Sequence, residues 1–129
     1  MKKKLNHILL IDDDNDNNFI HKLIIEDSGV QADIYSVVSV PDAIQYLQSG
    51  GNPDLIFLDI NMPVLNGWDF INQYNNLPDK QNSIIVMLTS SMNVSDEKKA
   101  LSISEITEYK TKPLTPPIVK EVLHKYFES

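Results

Sequence analysis

Cysteine is absent from the 129-residue sequence. That removes disulfides, thiol catalysis, iron–sulfur clusters and cysteine-ligated zinc together, and it suits a reducing compartment. Glycine occurs only four times, at Gly29, Gly50, Gly51 and Gly67. No Walker loop and no dinucleotide-binding fingerprint can be assembled from those positions. Long apolar runs are missing too. The longest, Leu55–Leu58 and Ile84–Leu88, fall far below the roughly 18 residues of a spanning helix. Basic charge is in deficit, with 11 Lys and Arg against 18 Asp and Glu, a net charge of −7. A nucleic-acid binder of this size carries the opposite balance, so direct nucleic-acid contact is not expected. Met1-Lys2-Lys3-Lys4 opens like a secretion signal, but its apolar run ends at Asp12-Asp13-Asp14, where a signal keeps its apolar core. The expectation is a cytoplasmic protein with no membrane contact.

What is present is an alternation. Short runs rich in Ile, Val and Leu stand at Ile8–Ile11, Ile34–Val38, Leu55–Leu58 and Ile84–Leu88, with a weaker one at Glu108–Thr111. They barely alternate in polarity, as strands buried on both faces do. Between them lie helical patterns. Phe19, Ile20, Leu23 and Ile24 repeat at helix spacing, and this stretch stops at Asp27-Ser28-Gly29. Val40, Ala43, Ile44 and Leu47 follow Ser39 as N-cap. Trp68, Ile71 and Tyr74 or Asn75 follow Gly67. Ser95–Ser102 is mostly polar and predicts the least firmly packed helix. Ile118, Val119, Val122, Leu123, Tyr126 and Phe127 form the last stripe, with Thr115 as cap and Pro116 at the first helical position. Five βα units in series predict an α/β, flavodoxin-like, three-layer fold. Its doubly wound, five-stranded parallel sheet takes the order 2-1-3-4-5. The expectation is one domain over residues 1–129, with a core of about 6–127 and no output domain.

In such a sheet all strands end along one edge, where ligands bind. Strand 1 ends in Asp12-Asp13, strand 3 in Asp59, strand 4 in Thr89-Ser90 and strand 5 in Lys112-Pro113. Gathered carboxylates repel and call for a cation. A hard, oxygen-rich site with few ligands suits Mg²⁺, which keeps waters and shares a phosphate oxygen. Lysine supplies a mobile point charge for phosphate and threonine a hydroxyl donor. Together these groups form a phosphoryl-transfer site with an aspartate nucleophile.

The segments Ile8-Leu9-Leu10-Ile11-Asp12-Asp13, Leu58-Asp59-Ile60-Asn61-Met62-Pro63 with Gly67, Leu88-Thr89-Ser90 and Tyr109-Lys110-Thr111-Lys112-Pro113 resemble, in order and spacing, the receiver domain of two-component response regulators. The likeness is to the single-domain, chemotaxis-regulator type. It implies Asp59 as phosphoacceptor, with Asp13 as main Mg²⁺ carboxylate, Asp12 assisting and Asp59 itself a ligand. Asn61 gives its backbone carbonyl to the metal. Thr89 turns toward the phosphoryl group, Lys112 pairs with Asp59 and later with phosphate, and Tyr109 swings inward. Pro113 matches a proline that follows a cis bond.

The resemblance also implies partners: a sensor histidine kinase or histidine phosphotransfer protein as donor, and a downstream protein on the face of helix 4, strand 5 and helix 5. A phosphorylation-dependent homodimer stays open. Self-catalysed phosphoryl acceptance and autodephosphorylation are the only catalysis implied. Departures are Ser104-Glu105-Ile106-Thr107, where many receivers carry a Gly-Ala pair, and Ser90-Ser91 after the threonine. Asn61 and Ser91 flank the route of an attacking water.

Simpler readings exist for other residues. Asp14 and Asn15 are helix caps, His7, His21 and His124 are surface or packing residues, and Lys2-Lys3-Lys4 is a frayed end. Asp12-x-Asp14-x-Asp16 fails as a calcium loop because Asn17 and Leu23 occupy its glycine and glutamate positions. Two rival functions remain, a phosphorylation-independent pseudo-receiver and a phosphohydrolase with Asp12 as nucleophile.

Overall fold

In the computed structural model, residues 2–78, 82–90 and 93–128 are described. The element order is β1 (His7–Ile11), α1 (Asn15–Asp27), β2 (Asp33–Val37), α2 (Val40–Gln48), β3 (Leu55–Asp59), α3 (Gly67–Asn75), β4 (Ile84–Thr89), α4 (Val94–Leu101), β5 (Glu108–Thr111) and α5 (Pro116–Tyr126). The five strands form one parallel sheet in the order β2-β1-β3-β4-β5. This is the flavodoxin-like order expected from the alternation of runs.

Side chains alternate across a strand, and both faces here are apolar. Leu9, Ile11, Ile56, Leu58, Ile85 and Met87 pack against α2 and α3 on one face. Ile8, Leu10, Leu55, Phe57, Val86 and Leu88 pack against α1 and α5 on the other. The three central strands are therefore almost wholly buried. Truncating one of their fully covered leucines, Leu58 for example, is of the class that costs about 2–5 kcal/mol.

Caps fix where the helices begin. Asp14, Ser39, Asn66, Asn93 and Thr115 each accept a backbone N–H of the following first turn. Asn66 and Asp69 form a reciprocal capping box. α4 buries only Ala100, in line with its polar sequence. Among the described residues, no helix is long and apolar enough to cross a membrane.

Two expectations change. The buried face of α1 is Asn18, His21 and Ile25, while Phe19, Ile20 and Leu23 are 62%, 47% and 48% exposed. The physical reason lies in Asn18. Its amide donates to the carbonyls of Asp12 (3.0 Å) and Val37 (3.2 Å), and Asp14 caps the same helix. These polar ties set the rotation of the helix, and positions 18, 21 and 25 follow from it at helical spacing. The N-terminal lysines are not a loose end either. Lys3 pairs with Phe127 in an isolated parallel bridge, and the Glu128 N–H donates to the Lys3 carbonyl at 3.0 Å. The Lys3 ammonium donates to the Asn82 carbonyl at 3.0 Å.

Candidate functional site

The carboxyl edge of the sheet assembles residues from four separate segments. Asp12 follows β1 directly, Asp59 is the last residue of β3, Thr89 the last of β4, and Lys112 follows β5. Parallel registers place these chain ends side by side: Ile11 opposite Leu58, Asp59 opposite Leu88, and Thr89 opposite Thr111. One carboxylate oxygen from each of Asp12, Asp13 and Asp59 lies within 4.8 Å of the others. Asp12 and Asp59 are buried and Asp13 is exposed, so the cluster has a covered floor and an open mouth.

Lys112 reaches into this cluster. Its ammonium is 2.8 Å from Asp12 Oδ2 and 3.4 Å from Asp59 Oδ2. The Lys112 N–H donates to the Thr89 carbonyl at 2.7 Å, and the Lys112–Pro113 bond is cis, as the resemblance implies. Backbone donors occupy the other carboxylate oxygens: the Asp14 N–H reaches Asp12 Oδ1 at 3.0 Å, and the Asn61 N–H reaches Asp59 Oδ1 at 3.2 Å. Burial, and then the Asp12 charge, push the Asp59 carboxyl up to about 6 against the opposing pull of Lys112. Burial pushes the Lys112 ammonium down, but its hydrogen bond to Asp12 and the two carboxylates outweigh that and leave its pKa above the usual lysine value.

Three carboxylates and one ammonium leave a formal charge of −3 + 1 = −2 within this small volume. A divalent cation with oxygen preference matches that donor set in charge and chemistry. Asp12, Asp13 and Asp59 are the side chains that fit it.

Thr89 is buried, and the Tyr109 ring already lies inward at 7% exposure. Burial, with the Asp96 charge, pushes the Tyr109 phenol up. Asn61 is exposed at the mouth. Ser91 lies outside the described residues. Met62, Pro63, Val64 and Leu65 loop over the edge next to Asp59, with Val64 fully exposed at φ 66°, a conformation that costs a β-branched residue strain.

Gly67 packs beneath Asp59. A Cβ there would stand 2.9 Å from the Asp59 carbonyl oxygen and 3.0 Å from the Ile60 Cα. Its N–H donates to the Ile60 carbonyl at 2.9 Å. The chain after Asp59 thus folds back tightly because residue 67 has no side chain.

Reasoning from the sequence missed one buried polar side chain of α1, Asn18, and left His21 as either a surface or a packing residue. Asn18 ties the carboxyl ends of β1 and β2 together. His21 is buried, with its pKa lowered chiefly by burial, while Asp12 raises it and Lys112 lowers it. The i, i+3 spacing of two polar residues on a helix that directly follows an acidic pair was the available signal.

Residues 8–124 match the response regulator receiver domain family model. The chain belongs to this family. Two-component response regulator 24 of Arabidopsis thaliana is 31% identical over 117 residues, covering 91% of this chain and 81% of the relative. A solved two-component response regulator from Cytophaga hutchinsonii is 34% identical, covers 96% of this chain and 98% of its own, and superposes with a TM-score of 0.87. A response regulator receiver protein from Dyadobacter fermentans is 29% identical, with coverage of 95% and 98% and a TM-score of 0.84. The receiver assignment and its place in two-component signalling therefore rest on fold, sequence and site together.

Proposed function

We propose that this receiver accepts a phosphoryl group on Asp59 from a phosphohistidine of a sensor kinase or phosphotransfer protein, in the cytoplasm and with Mg²⁺ bound. The observation that carries this reading is the meeting of Asp12, Asp13, Asp59 and Lys112 within hydrogen-bonding or metal-ligand reach. In the transfer, an Asp59 carboxylate oxygen attacks phosphorus. The P–O bond forms as the P–N bond to the donor imidazole breaks, and the imidazole leaves as the neutral ring after taking a proton. Mg²⁺, held by Asp12, Asp13, Asp59 and the Asn61 carbonyl, would neutralise charge on the phosphoryl oxygens. Lys112 is placed to move from its two carboxylate partners toward phosphate. Return to the resting state is hydrolysis, in which water attacks phosphorus and Asp59 leaves as the carboxylate. No broader enzyme activity is assigned.

The new acyl phosphate brings charge and acceptor oxygens beside Thr89. Thr89 donates to it, the space behind Thr89 changes, and Tyr109 settles in its inward position. The face of α4, β5 and α5 then shifts its preference among partners, as a population shift between two states. The outward apolar stripe of α1, Phe19, Ile20 and Leu23, lies on the helix that directly follows Asp12-Asp13-Asp14 and offers the donor an apolar contact.

Titration with beryllofluoride, a phosphoryl mimic, in the presence of Mg²⁺ tests this reading by NMR. The expected result is saturable shifts at Asp59, Thr89, Tyr109 and Lys112 that vanish without Mg²⁺ or in Asp13→Asn. An unchanged spectrum identifies a phosphorylation-independent binding module instead.

A further inference from the structure

The amino end of the sheet, across the domain from the acidic edge, carries a groove of about 590 Å³. It runs between the turn after α1 (28–31), the segment leading into β1, and the last turns of α5. Leu5, Val30, Leu123 and Phe127 supply its apolar floor. Gly29 bends the chain at its wall with φ 88°, and a Cβ there would meet nothing within 4 Å, so the space beside it is open.

Charge at this corner runs against the rest of the molecule. The chain carries −7 overall, yet Lys4 and Lys120 line the groove with His124, and Glu128 is the one carboxylate among the lining residues. The Lys2 ammonium sits at the same corner, donating to the His124 carbonyl at 2.7 Å. Lys4 and Lys120 are both exposed, and their position on the rim of an apolar trough is what gives them selectivity. A volume in the small-molecule range, an apolar floor and cations on the rim define a ligand with one anionic end and one apolar end.

We propose that this groove binds a small monoanionic amphiphile, a carboxylate carried on a short aliphatic chain. The chain lies over Leu5, Val30, Leu123 and Phe127, and the carboxylate faces Lys4 and Lys120. Occupancy needs neither Mg²⁺ nor phosphorylation of Asp59, so its failure and that of the phosphoacceptor reading are separable.

The test is an amide NMR titration of the intact chain with decanoate, with acetate and decyltrimethylammonium as parallel arms. Decanoate is expected to shift the amides of Gly29, Val30, Gln31, Leu123 and Phe127 saturably, with a dissociation constant on the order of 1 mM, as the binding energy per atom of small ligands implies. Acetate and the cationic amphiphile leave those amides in place. Lys4→Glu combined with Lys120→Glu weakens decanoate roughly tenfold while beryllofluoride binding at Asp59 is retained. The proposal is overturned if decanoate gives no saturable shift at these amides. It is equally overturned if the cation or acetate matches decanoate, or if charge reversal leaves the affinity unchanged.

Discussion

At the scale of single residues, Asp59 carries a marked electrostatic burden. Its carboxyl is pushed from an ordinary 3.8 to about 6. A carboxyl with a raised folded pKa favours the native state while protonated. That contribution is complete below about 4 and is lost as pH rises through about 6, so that by neutral pH about 3 kcal/mol of stability has gone. Without metal, Asp59→Asn is therefore expected to stabilise the protein at pH 7 by about 1–3 kcal/mol relative to wild type, and to lose that advantage near pH 4. Denaturant unfolding of both proteins across this range, with and without Mg²⁺, measures it. Mg²⁺ should narrow the gap by stabilising wild type only. Gly67 sets a steric limit of a different kind. Gly67→Ala drives a methyl group against the Asp59 carbonyl oxygen, 2.9 Å away, and the Ile60 Cα. The expected outcome is a loss of about 1–3 kcal/mol, with slower phosphorylation of Asp59 by a small-molecule phosphodonor, read by intact mass.

Among the elements, α1 and α4 stand apart from the rest. α1, which follows Asp12-Asp13-Asp14 directly, turns Phe19, Ile20 and Leu23 outward. Replacing Phe19 and Ile20 by Ser together should leave stability within about 0.5 kcal/mol per site, since both are exposed. The same change should slow transfer from a histidine phosphotransfer protein about tenfold or more while beryllofluoride binding stays intact. Equal effects on both would mean the substitutions act on the fold rather than on docking. α4 buries only Ala100 and meets α3 through the Lys99 ammonium, 4.4 Å from the Trp68 ring centroid. β5 and α5, by contrast, are tied by Glu108, which accepts from Tyr126 and from Lys125 (2.9 Å), and by Lys110 to Glu121 at 3.1 Å. Within the α4–β5–α5 face, movement therefore falls first on α4. Amide hydrogen exchange should be faster over Val94–Leu101 than over Val119–Lys125. Comparable protection in the two helices would contradict this.

For the whole molecule, the strand order and the composition of the acidic edge were legible in the sequence because both follow from local rules. Buried parallel strands read as continuous apolar runs, and parallel strands place all their carboxyl ends on one side. Asp12, Asp13, Asp59, Thr89 and Lys112 could be brought together by that rule alone. The rotation of α1 could not. Hydrophobicity favours Phe19, Ile20 and Leu23 as the inner face, and the hydrogen bonds of Asn18 to Asp12 and Val37 decide otherwise through contacts between distant segments. The docking of Lys3 against Phe127 was hidden for the same reason, since it joins the two ends of the chain. Gly67 was visible as a motif residue, but its need for a bare Cα emerges only from the fold-back under Asp59.

The central claim is that this edge makes Asp59, and no other carboxylate, the acceptor of a transferable phosphoryl group. Its most direct measurement is peptide mapping by mass spectrometry after reaction with acetyl phosphate and Mg²⁺. The account predicts one base- and hydroxylamine-labile phosphoryl group on Asp59, absent in Asp59→Asn and strongly reduced in Asp13→Asn. Phosphorylation mapped to Asp12, or unchanged labelling in Asp59→Asn, would contradict it.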